Sequence, residues 1–216
     1  MRRILLCSAL LTALALPAMS AQDTSSSSAP KHTRKPTDSS LDSGTITNGI
    51  YRNRALALTC KIPEAWVLRT EEMNASSEPR DSPAPAQPPA AGPKVLLAAF
   101  SRPPEARAED VNSSILIAAE PTASYPGLKD AAQYFGPLTE VAKTQGFTID
   151  EDPYEIAVGT KTLVRGDFHK NIGTRVMHQS TLAMLSHGYA ISITTIAGTD
   201  DEVEELIDGL SFGPGK

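Results

Sequence analysis

The chain has 216 residues, with 20 Lys and Arg against 25 Asp and Glu and a formal net charge of −5 at pH 7. That balance excludes a general nucleic-acid binder, which needs a basic face to neutralise phosphates. Hydrophobic residues make up 40% of the sequence, and the length suits one domain with a real core.

Residues 1–21 read as a secretory signal peptide. Arg2 and Arg3 form a charged start. Residues 4–16 are an apolar run too short to span a bilayer. Pro17-Ala18-Met19-Ser20-Ala21 ends in small residues suited to cleavage after Ser20 or Ala21. Cys7 lies inside the apolar run and goes with it. Removing Arg2 and Arg3 leaves 18 basic against 25 acidic residues, a net charge of −7. It also leaves one cysteine, Cys60, which has no internal disulfide partner. The mature chain is expected in the periplasm or outside the cell, with no integral membrane segment.

Residues 22–44 are Ser, Thr, Asp and Pro with almost no apolar side chain. Such a segment cannot bury enough surface to offset its ordering entropy, so a disordered leader is predicted. Lys31, His32, Arg34 and Lys35 make a small basic island in it, either a contact for anionic envelope surface or a solvated run.

The folded domain is expected over residues 45–216. Residues 45–52 and 55–62 read as two strands joined at Asn53-Arg54. In the second, Leu56, Leu58, Cys60 and Ile62 share a face. Cys60 therefore falls in the core row, as a small buried hydrophobe rather than a nucleophile. Pro63-Glu64-Ala65-Trp66 turns the chain, with Trp66 as a core anchor before a short strand to Arg69. Residues 74–93 are a proline-rich insertion, with prolines at 79, 83, 85, 88, 89 and 93. Asn74-Ala75-Ser76 and Asn112-Ser113-Ser114 match the glycosylation triplet.

Residues 94–101 and 112–119 are apolar strand candidates. A helix follows over residues 128–145, with Leu128, Ala131, Phe135, Leu138 and Ala142 as its stripe. Pro137 lacks an amide donor and is expected to kink or split it. Residues 147–149, 154–158, 162–169 and 175–186 read as strands joined by short Gly or Asn turns, which makes antiparallel neighbours. Tyr189, Ile191 and Ile193 alternate with Ala190, Ser192 and Thr194 in a further strand. Thr199-Asp200-Asp201-Glu202 fits a capping box. Val203, Leu206, Ile207 and Leu210 then recur at helical spacing, and Gly209 closes the helix.

No hydrolase, phosphate-loop, zincin, paired-cysteine or dinucleotide motif is present. His169, His178 and His187 occur nine apart. His169 and His178 share a face only if the strands pair in an odd register, which would bring Asp167 near His178 as a conceivable zinc set. Cys60 with His178 is the one nucleophile and base pair to propose. Asp200, Asp201, Glu202, Glu204 and Glu205 read as a helix cap and a solvated face, without the loop geometry of a calcium site.

Residues 51–66 (YRNRALALTCKIPEAW) resemble the opening hairpin of the PsbP-like family, with its Pro-x-x-Trp turn. Residues 189–212 resemble the strand, helix and strand that close that fold. The family includes the extrinsic photosystem II protein and a Ran-binding import factor. The resemblance implies an α+β fold, an antiparallel sheet flanked by helices in an α/β/α sandwich, and a binding or assembly role. The signal peptide and the proline-rich insertion depart from the photosynthetic members, so no metal, photosystem or Ran-binding residues carry over.

The sequence thus points to an exported non-enzymatic binding or accessory protein of the bacterial envelope, acting on an unidentified protein or envelope component. It assigns no catalytic, cofactor or metal-binding residue. The alternative is a metal-dependent or Cys/His hydrolase with its site in the 167–187 hairpin region.

Overall fold

The computed structural model describes residues 41–77, 93–103, 105 and 110–213. The expected signal peptide, residues 22–40 of the leader and residues 78–92 of the insertion lie outside the described residues.

The chain opens with a hairpin, β1 (Thr45–Thr47) and β2 (Ile50–Asn53), where a single strand was expected. The turn is Asn48-Gly49, with φ of 51° and 70°. Two consecutive left-handed residues match the twist of a tight hairpin, and Asn-Gly is the pair that adopts them most readily. β2 then pairs with β3 (Leu58–Lys61), and β3 with β12 (Leu210–Phe212). These four strands form a small sheet in the order β1-β2-β3-β12.

The large sheet contains β4 (Val67–Leu68), β5 (Lys94–Phe100), β6 (Ser114–Pro121), β7 (Thr148–Ile149), β8 (Tyr154–Val158), β9 (Lys161–Ile172), β10 (Arg175–Ser186) and β11 (Tyr189–Ala197). Its order is β4-β5-β6-β11-β10-β9-β7, with β8 also on β9, and every pair is antiparallel. Period-two alternation gives this sheet two apolar faces. Leu163, Leu182, Ile191 and Ile193 point to one side, where the small sheet and α3 (Asp200–Asp208) pack. Val164, Phe168, Ala183 and Ala190 point to the other, under α2 (Ala131–Thr144). A third helix, α1 (Thr70–Ser77), lies against β5. The fold is α+β with helices on both faces of an antiparallel sheet. The small sheet sharing the layer of α3 was not expected.

Three local differences have clear causes. Leu41 was assigned to the leader but is 4% exposed. Its carbonyl accepts from Lys94 Nζ at 3.1 Å, and the Asp42 carbonyl accepts from Asn53 Nδ2 at 2.7 Å. Leu41 therefore packs with the main core. The α2 helix runs through Pro137 as one element, because Gly136 and Pro137 lie on its exposed side, where a missing donor faces water. Its stripe also includes Tyr134, fully buried. The α3 cap forms with Thr199 Oγ1 accepting from the Glu202 amide at 3.2 Å. The Glu202 carboxylate reaches back one residue further than expected, to the Gly198 amide at 3.0 Å.

Candidate functional site

β9 and β10 pair with His178 opposite His169 and Ser180 opposite Asp167. The register is odd, so Arg165, Asp167, His169, His178 and Ser180 all lie on the α3 side of the sheet. They continue the row of Leu163 and Leu182 past the edge of the apolar core, as a polar patch beside α3.

The patch is organised by two sets of contacts. In the first, Asp167 accepts from Tyr154 Oη at 2.8 Å and from Arg165 Nε at 2.9 Å. Arg165 also donates to Glu204 on α3. Burial opposes the charge on Arg165, but Glu204 and Asp167 more than offset it and raise its pKa. The Tyr154 hydroxyl is pushed up to about 12, first by burial and then by its bond to Asp167. In the second set, His169 Nδ1 bonds to Asp150, in the segment after β7. His178 Nδ1 lies 2.6 Å from Asp200 Oδ1, at the first residue of α3. Ser180 Oγ is buried between the neighbouring rows and has no hydrogen-bond partner.

The structure thus brings His169 and His178 together but withdraws Asp167 from them. Its carboxylate is taken by Arg165 and Tyr154, and among the described residues no three His, Cys, Asp or Glu side chains are placed to hold a metal ion. The conceivable zinc set of His169, His178 and Asp167 is therefore not assembled as a triad among the described residues. His187 sits apart in the β10–β11 turn, where its Nδ1 bonds to Ser186 Oγ at 2.8 Å.

Cys60 is fully buried, opposite Tyr51 on β2 and Leu210 on β12. Burial pushes its thiol up to about 12, so it stays protonated and unreactive. Its Sγ donates to the Lys61 carbonyl at 3.8 Å, with no bond to His178. The proposed nucleophile and base pair is therefore not assembled.

The acids of α3 divide between two tasks. Glu202 caps the helix, while Asp200 and Glu204 reach to the sheet. Composition could not assign them, because their partners lie on strands more than twenty positions away. Arg165 was missed for the same reason, although its alternation with Asp167 and His169 marks a polar strand face.

Both triplet asparagines are used by the fold. Asn74 donates to the Val95 carbonyl and accepts from its amide, each at 2.9 Å. Asn112 spans Ser101 and Arg102. Among the described residues, two open clefts lie on the surface. One, of about 580 Å³, lies between Asp130 on α2 and Lys161 on β9. The other, of about 480 Å³, is lined by Ile46, Trp66 and Leu68. No helix among the described residues is long and apolar enough to cross a membrane.

No protein-family model matches the chain, and no curated protein matches it. Several solved structures overlap it in part, among them the following two. LpqN of Mycobacterium tuberculosis, described as involved in cell envelope biogenesis, is 15% identical, with 71% of this chain and 82% of that chain covered and a TM-score of 0.34. PA94, a Pseudomonas aeruginosa protein of unknown function, is 17% identical, with 72% and 85% covered and a TM-score of 0.33.

Proposed function

We propose that this chain is an exported, non-enzymatic binding or accessory protein of the bacterial envelope with a PsbP-like layout. The observation that carries the non-enzymatic reading is the state of the groups a hydrolase would use. Cys60 is buried with its thiol pushed up, and Asp167 is held by Arg165 and Tyr154. A nucleophile has to be ionisable and reachable, and a general base has to have a free lone pair. The signal-peptide pattern of residues 1–21 supports export. The pairing of β3 with β12 supports the layout, since it joins in one sheet the two segments that resemble the family.

Cell fractionation with N-terminal sequencing tests the location. The expected product starts at Ala21 or Gln22 and is found in the periplasmic or extracellular fraction. An intact Met1 start in the cytoplasm overturns the reading. In-cell cross-linking of the exported chain then tests for an envelope partner. The expected adduct is retained by Cys60→Ala, and its loss in that variant with the fold intact would return Cys60 to the site.

A further inference from the structure

We propose that His169 and His178 form a two-imidazole site for a divalent transition cation of the Zn²⁺ or Cu²⁺ class. The proposal stands on side-chain placement alone and does not depend on the export reading.

The first observation is the register. His178 is directly opposite His169 on adjacent antiparallel strands, with both side chains on one face. Opposed residues of this kind have β-carbons about 4.5–5.5 Å apart. From that separation two imidazoles can converge on one ion at the usual Zn–N distance of about 2.0–2.1 Å.

The second observation is which ring nitrogen is occupied. Both histidines present Nδ1 to a carboxylate, His169 to Asp150 and His178 to Asp200. The carboxylates come from opposite flanks of the strand pair, one after β7 and one at the start of α3. This is the outer arrangement that metal-bound histidines use. A carboxylate at Nδ1 favours the tautomer with its proton there, so Nε2 is the nitrogen whose lone pair a cation would take. A histidine pair serving only as two salt bridges has no need for both rings to be held by the same nitrogen.

The third observation is access. The His169 and His178 side chains are 32% and 22% exposed. The row is continued by Thr148 beside His169 and by Ala197 beside His178, so the residue next to the second ring is small. Asp167 does not complete the set, so the remaining positions on the ion belong to water or to a ligand from a partner. Nitrogen-only ligation favours Zn²⁺, Cu²⁺ or Ni²⁺ over the oxygen-seeking Ca²⁺ and Mg²⁺.

The test is titration of the chelator-treated full chain with Zn²⁺ and with Cu²⁺, followed by calorimetry and by NMR of the histidine ring protons. One cation per chain is expected, with Cu²⁺ broadening the His169 and His178 signals first. His169→Ala or His178→Ala should weaken binding at least about tenfold, and Asp150→Asn or Asp200→Asn by roughly 10–100-fold, the usual range for outer contacts. His32→Ala and His187→Ala should leave it unchanged. Saturable binding that survives loss of both histidines overturns the proposal, as does no binding of either ion at millimolar concentration. The NMR arm uses the unsubstituted chain, so it decides the matter even where an alanine variant fails to fold.

Discussion

Leu210 lies directly opposite Cys60 across the β3–β12 ladder, so the first and last parts of the domain are immediate neighbours. The closing strand is also tied to the β8–β9 turn. The Phe212 carbonyl accepts from the Thr160 amide and from Thr160 Oγ1, each at 3.1 Å. Phe212 itself is 3% exposed in the main core. Phe212→Ala is expected to cost about 3–5 kcal/mol, from lost transfer energy and the cavity left behind. Urea unfolding should show a lower midpoint with an unchanged slope.

Gly159 and Gly166 each hold a close approach. A β-carbon on Gly166 would overlap the Phe135 ring of α2, and one on Gly159 would sit 2.5 Å from the Phe212 carbonyl oxygen. Gly159 also has φ of +60°. Gly166→Ala should destabilise by about 1–3 kcal/mol through overpacking. Gly159→Ala should cost more, because backbone strain adds to the clash. Thermal melts of the two variants check both the sign and the order.

Stability should fall on the alkaline side. Burial raises the Cys60 thiol from 9.0 to about 12. Burial likewise raises the Tyr51 hydroxyl from 10.0 to about 12, against a lowering bond from Asn53. Above pH 9 the unfolded chain releases these protons while the folded chain keeps them, so the unfolded state binds fewer protons and the slope of stability with pH is negative. The contribution is complete below about pH 9 and is lost as pH rises towards about 12. Cys60→Ala should flatten the pH 9–11 portion of the curve measured by urea unfolding. A thiol reagent at pH 8 should label Cys60 only after denaturant is added.

Thr199→Ala should destabilise by about 0.5–2 kcal/mol through loss of the α3 cap. Because Asp200 follows directly and lies against His178, the same change should perturb the His178 ring signal in NMR. A variant that lowers the melting temperature without moving that signal would separate the cap from the histidine contact.

Much of the local structure was legible because it rests on short-range patterns. The α3 stripe of Val203, Leu206 and Ile207 and the alternation through Ile191 and Ile193 both appear where their spacing puts them. The hairpin turn at Asn48-Gly49 was missed although the pair is a turn former, because the β-forming residues on either side of it read as one strand. The small sheet was not legible, since β12 finds β3 only through long-range packing that no local pattern encodes. The site was readable only as a condition. The nine-residue spacing of His169 and His178 left the face undecided until the register of β9 on β10 was known. The carboxylates behind them came from elements with no sequence link to either strand.

The outer edge of β9 has a further meaning for a chain of this length. β8 covers residues 161–165 and β7 covers residues 168–169. In the gap between them the Asp150 amide donates to the Asp167 carbonyl at 3.0 Å. Along that stretch the strand offers few unpaired backbone groups to a neighbouring molecule, while at the opposite edge β4 covers only Ala99 and Phe100 of β5, and Asn74 and Thr70 accept from the amides of Val95 and Ala98. Sheets polymerise by adding strands at open edges. Two short segments sharing one long strand therefore leave little of the β9 edge open, and short edge strands are one means by which sheets limit the addition of a further strand.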